Sequence, residues 1–226
     1  MKDNNFVILC STTNLGDMKL KKASIFITLL SVLAFSSSLT AHANTSSNES
    51  RKIFDYTYNL VFGPQGSSLS YNVNIIGIMN VSGSIWHKNK KKRYSESRYM
   101  SWNDGQKEYY VDNKKKTVSL YIAGTRKSER YGNNFTFHPD DYTYSHKETQ
   151  TTYELTIDAR KEVSGIKHMI AIIDKRTRAP KYLKIKVLWF WTTVSITNFR
   201  SGISDDVFIF PSEKFKSYTF IDRRKD

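Results

Sequence analysis

The side chains that could do acid–base or metal chemistry are thinly spread along this chain. His87, His138, His146 and His168 stand far apart, and no His-x-x-x-His or Glu-x-x-His pair offers the spacing of a helical metal site. There is no Gly-x-Ser-x-Gly elbow and no phosphate-binding glycine loop. A triad assembled in space from distant residues is the one catalytic arrangement that a sequence leaves open. We therefore expect no enzyme, no cofactor and no metal.

Binding by apolar surface is the alternative to catalysis, and the chain is rich in the residues for it. Aromatic residues make up 14% of the 226 residues. Large, stiff side chains can line a groove that stays open when it is empty. The alternative for each is ordinary core packing, because strands carry apolar residues on a buried face anyway. The candidates for an apolar, ligand-binding groove are Trp86, Tyr94, Met100, Trp102, Tyr109, Val111, Leu120, Leu155, Ile157, Ile170, Ile172 and Ile185.

One run of large apolar residues lies where the strands on either side should turn. Leu188, Trp189, Phe190 and Trp191 occupy a place that usually holds Gly, Asn or Asp. Four such neighbours cannot all face inward from a strand, so we expect some to be exposed and to contact a membrane, an acyl chain or a partner. The alternative is a hairpin tip that folds back under residues 123–148.

The chain is strongly basic, with a formal net charge of +14. Lys90, Lys91, Lys92 and Arg93 fall on a predicted turn and are candidates for contacting anionic lipid headgroups. The alternative is a solvated hairpin tip. Nucleic acid is excluded as a partner, since the chain shows an export signal and no RNP-like or helix-turn-helix pattern.

The N-terminal region has the pattern of a secretory signal peptide over residues 18–43. A basic start at Lys19 to Lys22 precedes a short apolar stretch, and Ala41-His42-Ala43 supplies small residues for cleavage after Ala43. Residues 1–17 are interpreted as an upstream extension ahead of a true start at Met18. The only cysteine, Cys10, lies in that extension, so no disulfide framework is expected. We predict a periplasmic protein whose residues 44–52 form a polar N-terminal segment.

Alternating apolar and polar residues dominate the chain after Ala43, and no window of ten or more residues there shows a convincing helical period. The pattern predicts a mainly β fold with little helix: a single incurved antiparallel sheet, or half-open β-barrel, of about ten strands over residues 53–226. Tight turns are expected at Asn103-Asp104-Gly105 and at 113–116. Other expected strands cover 54–62, 69–88 as one strand bent near Gly77, 92–102, 207–210 and 218–221.

Several short segments, in their order, carry a family resemblance. Gly-Ser-Ile-Trp at 83–86 leads into a basic hairpin, and Asn-Asp-Gly-Gln at 103–106 and Tyr-Tyr-Val-Asp at 109–112 follow at short spacing. Phe-Ile-Phe-Pro at 208–211 and Ile-Asp-Arg-Arg at 221–224 close the chain. This arrangement resembles the LolA type of periplasmic outer-membrane lipoprotein carrier, over roughly residues 53–224.

The resemblance implies a half-barrel whose apolar concave face is covered by helices and carries acylated lipoproteins across the periplasm. It implies as partners an acylated lipoprotein or lipid, a release complex at the inner membrane, and transient contact with a membrane surface. We expect a monomer. Residues 44–52 look too short and polar for the helix with which the family begins, so we expect that helix to be missing. Asn89 stands where the family has a lid-holding arginine, and that role is not transferred.

Two functions follow from these observations. The first is a carrier or binding protein that holds acyl chains on the concave face. The alternative is an envelope-associated protein-interaction module that uses the same half-barrel without carrying lipid. The carrier function predicts an open apolar groove. The interaction module predicts a groove filled by the protein's own side chains and an exposed apolar patch elsewhere.

Overall fold

A computed structural model of the chain describes residues 40–75, 79–125, 138–160, 166–187 and 190–225. The predicted upstream extension and almost all of the predicted signal peptide fall outside these residues. In the described part, no helix is both long enough and apolar enough to cross a bilayer.

One long helix and twelve strands form the described fold. Helix α1 spans Thr40–Phe62. The strands are β1 Ser67–Ile75, β2 Met79–Lys88, β3 Lys91–Glu96, β4 Tyr99–Asn103, β5 Lys107–Asp112, β6 Thr117–Ile122, β7 Tyr142–Glu148, β8 Thr152–Ala159, β9 His168–Asp174, β10 Pro180–Val187, β11 Phe190–Ser201 and β12 Thr219–Asp222. Short 3₁₀ helices span Pro139–Asp141, Asp205–Phe208 and Ser212–Phe215.

All twelve strands belong to one open sheet with the order β12-β6-β5-β4-β3-β2-β1-β11-β10-β9-β8-β7. Neighbouring strands are antiparallel, except that β12 runs parallel to β6 with Phe220 opposite Val118. The predicted fold, a single incurved sheet that does not close into a barrel, is confirmed. The strand count is twelve rather than about ten, and the parallel pair was not expected.

The predicted first strand, residues 54–62, is wrong, and so is the expectation that an N-terminal helix is missing, because α1 covers this stretch. The buried side of α1 consists of Ser50, Ile53, Phe54, Thr57 and Val61, which recur every three or four residues. Two of these five are Ser and Thr, so the apolar residues alone do not display the helical period. The large residues at even positions from 54 to 62 imitate a strand instead.

Three other predicted strands are also wrong in their extent. Residues 69–88 form two strands, β1 and β2, which pair antiparallel with Tyr71 opposite Gly83. Residues 92–102 contain the β3–β4 hairpin. Residues 207–210 contain no strand, and the first two belong to a 3₁₀ helix that begins after Ser204, whose hydroxyl accepts a hydrogen bond from the Asp206 amide. In the first two segments, the alternation of apolar and polar residues continues across the chain reversal, so the sequence does not reveal the turn.

Helix α1 identifies the concave face of the sheet. Ser50 contacts His146 on β7, and Phe62 packs against His87 on β2. The two helix positions are about 18 Å apart at 1.5 Å per residue. The path along the sheet from β7 to β2 crosses six strand-to-strand steps, or about 29 Å at roughly 4.8 Å each. The distance along the helix is much shorter than the path across the strands that it contacts. The sheet therefore curls around α1, and the face that packs against the helix is the concave face.

Apolar side chains are buried on both faces of the sheet, in two separate clusters. On the concave face, Ile53 and Phe54 of α1 pack onto apolar residues of β7, β8, β9 and β10. On the convex face, Trp102, Val111 and Val118 are covered by Phe210, Phe215 and Tyr218. The covering residues of the second cluster belong to a C-terminal segment, defined here as residues 203–218. Each face is therefore covered over a different part of the sheet.

Leu155 on β8 lies at the centre of the concave cluster and is fully buried. We expect Leu155→Ala to lower the free energy of unfolding by about 2–5 kcal/mol, because it removes buried apolar surface and leaves a cavity under α1. Urea unfolding followed by circular dichroism measures the change. Ile209→Ala is the control, since Ile209 is 67% exposed and should change stability by less than about 0.5 kcal/mol. Equal effects of the two substitutions would contradict this packing.

Candidate functional site

The register of the strands divides the twelve predicted groove residues between the two faces. In an antiparallel sheet, directly opposite residues share a face, and alternate residues of a strand do so too. Tyr94, Leu155, Ile157 and Ile185 lie on the concave face with α1. The other eight lie on the convex face: Trp86, Met100, Trp102, Tyr109, Val111, Leu120, Ile170 and Ile172. The structure therefore does not bring the twelve together.

Four of the eight convex-face candidates are packed against the C-terminal segment: Met100, Trp102, Tyr109 and Val111. The Phe210 ring stacks on Tyr109 with centroids 4.2 Å apart and an interplanar angle of 4°. Phe210 and Phe215 both meet Trp102 edge-on, at 5.5 and 5.7 Å. This is the geometry of aromatic packing in a protein core.

Three of the concave-face candidates lie under α1. Leu155, Ile157 and Ile185 are buried in the concave cluster, and Phe54 covers them from the helix together with Tyr144 of β7. The part of the concave face beneath α1 is therefore filled by the protein's own side chains.

Tyr94, a predicted groove residue, lies among other concave-face tyrosines that were not predicted: Tyr71, Tyr99 and Tyr110. The Tyr94 ring lies 6.4 Å from Tyr110, and Tyr110 stacks on Tyr99 at 5.5 Å. Tyr71 donates a hydrogen bond to the Glu96 carboxylate. Burial raises the pKa of the Tyr71 and Tyr94 hydroxyls, so both stay protonated and able to donate. This part of the concave face is aromatic but polar, unlike the part beneath α1.

An open pocket of about 540 Å³ lies beside α1, where the helix passes the β9–β10 turn and the end of β11. Its volume falls in the range of about 300–1,000 Å³ that is usual for small-molecule sites. The lining comes from one helix residue, two residues of the turn and three residues at the end of the strand. The lining residues are Leu60, Ala179, Phe199, Thr177, Ser201 and Arg200.

None of the pocket residues was predicted from the sequence. Leu60 was assigned to a strand, and the other five lining residues carried no predicted role. No local pattern marks them, because the pocket exists only where α1 crosses the sheet and β11 reaches the helix.

Polar contacts fix α1 along its length. The Ser50 hydroxyl oxygen lies 2.7 Å from His146 Nδ1, and the Thr57 hydroxyl donates to the Arg178 carbonyl at 3.2 Å. The Ser67 hydroxyl donates to the Val61 carbonyl at 2.7 Å, near the last turn. The helix ends at Phe62. The amide of the next residue, Gly63, donates to the Asn59 carbonyl, and Pro64 follows. The wall of the pocket at Leu60 is thus held between two of these contacts.

The predicted headgroup contacts are largely engaged in the fold. Lys91 Nζ lies 3.2 Å from an Asp205 carboxylate oxygen. The Arg93 guanidinium lies over the rings of Trp86 and Trp102, at 4.3 and 5.2 Å from their centroids. Lys92 shares the concave face with His87, whereas Lys90 is exposed at the hairpin tip.

The apolar run at 188–191 is described only in part, because Leu188 and Trp189 lie outside the described residues. Phe190 pairs with Val187 on the concave face, and Trp191 pairs with Lys186 on the convex face. Trp191 is 42% exposed, so one member of the run is open to solvent. This end of the sheet is opposite to the one that carries Lys90, since β1 and β2 run the length between them.

No known protein family and no curated protein matches the chain. Its fold is shared with a solved structure, an uncharacterized conserved protein from Thermus thermophilus. That structure is 9% identical, with a TM-score of 0.52, over 77% of this chain and 99% of that one. This likeness establishes the fold class alone.

Further structural neighbours include the LolA superfamily protein NE2245 from Nitrosomonas europaea. It is 6% identical over 72% of this chain and 98% of that one, with a TM-score of 0.34. The chain is also similar to a protein in the Pseudomonas aeruginosa MucA/MucB complex, at 11% identity and a TM-score of 0.41, over 73% of this chain and 62% of that one.

His87 offers a test of how α1 meets the sheet at its C-terminal end. Burial, with a smaller effect from Lys92, lowers the pKa of His87 to about 4. In the unfolded chain the pKa of this histidine is about 6.5. Between about pH 6.5 and pH 4, the unfolded state therefore binds a proton at His87 that the folded state does not bind. Stability should therefore fall as the pH drops from about 6.5 to about 4, by about 3 kcal/mol in total.

The measurement is urea unfolding across this pH range for the wild type and His87→Gln. We expect the variant to be less stable at neutral pH and to lose the His87 part of the pH dependence. His138→Gln is the matched control, because it makes the same substitution at an exposed histidine and should leave the fall in stability unchanged. If His87→Gln retains the full slope, His87 is not held neutral by burial.

Proposed function

We propose that the chain is a periplasmic carrier or binding protein for lipoproteins or other acylated ligands. The observation that supports this most is the open pocket beside α1, with Leu60, Ala179 and Phe199 on its apolar side. The signal-peptide pattern at 18–43 and the resemblance of residues 53–224 to lipoprotein carriers agree with it.

The pocket suits a ligand that has to be released again. Burial of each CH₂ group contributes about 0.8 kcal/mol, so a few methylenes held against Leu60 and Phe199 give useful affinity. Because the pocket is open, the ligand stays partly in contact with solvent and dissociates without unfolding of the sheet. No catalytic group is needed for this function.

Leu60→Asp tests the pocket directly. A carboxylate in the apolar wall would be desolvated by a bound acyl chain, so we expect binding to weaken at least about tenfold, the equivalent of about 1.4 kcal/mol. The ligand is a fluorescent dipalmitoylated lipopeptide, and fluorescence anisotropy measures its Kd. Asn59→Asp is the matched control, because it adds the same side chain one position earlier, at an exposed residue.

Equal affinity of Leu60→Asp and Asn59→Asp would show that acyl chains do not use this pocket. Native mass spectrometry of the protein isolated from its own periplasm complements the test. We expect a lipid or lipoprotein adduct in the wild type that is reduced in Leu60→Asp. Repeated absence of any adduct in the wild type would contradict lipid carriage.

The second candidate is an envelope-associated protein-interaction module. It is favoured by the filled concave face beneath α1 and by aromatic side chains exposed on the convex face. Tyr182 is 45% exposed and Trp191 is 42% exposed, with Lys184 and Lys186 between them on the same face. Lipid-free protein in the native mass spectra would favour this function over carriage.

A further inference from the structure

Three potential metal ligands meet where the first half of α1 lies against β7. Glu49 comes from the helix, and His146 and Glu148 come from alternate positions of the strand. One ligand atom of each lies within 4.8 Å of the others. Among the described residues this is the one group that brings three such ligands together. None of the three lines the pocket.

The imidazole of His146 is held in a defined orientation. Its Nδ1 lies 2.7 Å from the hydroxyl oxygen of Ser50, a fully buried residue. Its Nε2 lies 3.2 Å from Oε1 of Glu148, and the Tyr153 ring packs against it edge to face at 5.8 Å. The side chain of His146 is only 7% exposed. A partner on the outer nitrogen of a histidine is a usual feature of metal sites, because it orients the ring and sets its tautomer.

These distances fit a divalent cation. Zinc binds imidazole nitrogen and carboxylate oxygen at about 2.0–2.2 Å, so neighbouring ligands of a tetrahedral ion lie about 3.3–3.5 Å apart. The Nε2–Oε1 distance of 3.2 Å already matches this spacing. If Nδ1–H donates to Ser50, Nε2 presents its lone pair toward the Glu148 carboxylate, and a carboxylate oxygen of Glu49 lies within 4.8 Å of the same group. A cation between them would remove the repulsion among these electron-rich atoms.

We propose that Glu49, His146 and Glu148 form a binding site for a divalent transition-metal ion of the zinc class, with water completing its coordination. An imidazole together with two carboxylates suits zinc better than calcium or magnesium, which prefer oxygen ligands alone. The ion would connect the helix that covers the concave face to the edge strand β7. This proposal is independent of acyl binding.

Lys175 limits the affinity of the site. Its Nζ lies 2.6 Å from Oε2 of Glu148, the oxygen that does not face His146. The carboxylate of Glu148 is therefore held between Lys175 and His146. The lysine also places a positive charge beside the bound ion, which opposes it. Removing this charge should strengthen metal binding, whereas removing a ligand should weaken it.

The experiment is a zinc titration by isothermal calorimetry with the complete mature chain. We expect the wild type to bind one zinc ion per chain. Glu49→Gln and His146→Ala should each weaken binding at least about tenfold, and Ser50→Ala, which removes the partner of Nδ1, by about tenfold. Lys175→Gln should tighten binding several-fold.

His168→Ala is the matched control. His168 and Asp158 form a similar pair, with Nδ1 2.7 Å from the carboxylate, but without a third ligand among the described residues. We expect this substitution to leave zinc binding unchanged. Binding that survives Glu49→Gln and His146→Ala, or that is lost in His168→Ala, would overturn the proposal. So would a Lys175→Gln variant that binds no more tightly than the wild type.

A second measurement guards against variants that fail to fold. Glu49 is exposed, so Glu49→Gln should keep the wild-type circular dichroism spectrum and melting temperature without metal. Zinc should raise the melting temperature of the wild type, because it binds the folded state, and should not raise that of Glu49→Gln. An equal rise in both proteins would overturn the site.

Discussion

The packing of α1 across the concave face is the contact on which the rest of the structure depends. Leu155, Ile157 and Ile185 lie on the concave face, and in the described part of the chain α1 is the element that packs over them and removes them from water. The curl of the sheet follows the same contact, because strands as far apart as β7 and β2 both reach one helix. The pocket then exists as the space that α1 leaves between itself and the end of β11.

The C-terminal segment covers part of the convex face. Many of the aromatic residues are used in this packing, so the high aromatic content does not indicate a wide binding groove. Trp102 and Tyr109 pack against Phe210 and Phe215 of the C-terminal segment. The Arg93 guanidinium lies over Trp86 and Trp102, so a basic residue is part of the same packing. Lys91 binds Asp205 of the segment. Aromatic and basic residues that suggested a ligand surface therefore serve in part to hold the chain's own C-terminal region.

The sequence predicts the sheet well, because period-two alternation and turn residues are local signals. The Asn103-Asp104-Gly105 turn joins β4 and β5 as expected, and β5 pairs with β6 across 113–116. Helix α1 was not predicted, since its buried side includes Ser50 and Thr57 and its large residues imitate a strand. The face of each strand was not predictable either. Trp102 and Leu155 have the same local pattern, and only the covering element, distant along the chain, decides which face each occupies.

The proposed metal site and the pocket escaped sequence analysis for one shared reason. Metal motifs are searched as spacings on one helix, whereas here a strand contributes His146 and Glu148 two residues apart, and the third ligand is about a hundred residues earlier. The pocket likewise combines Leu60 of α1 with Phe199 and Arg200 of β11. Both sites include a residue of the helix that the alternation concealed. The first half of α1 contacts β7 through polar side chains, and its last turns border the pocket. One helix therefore connects the two sites.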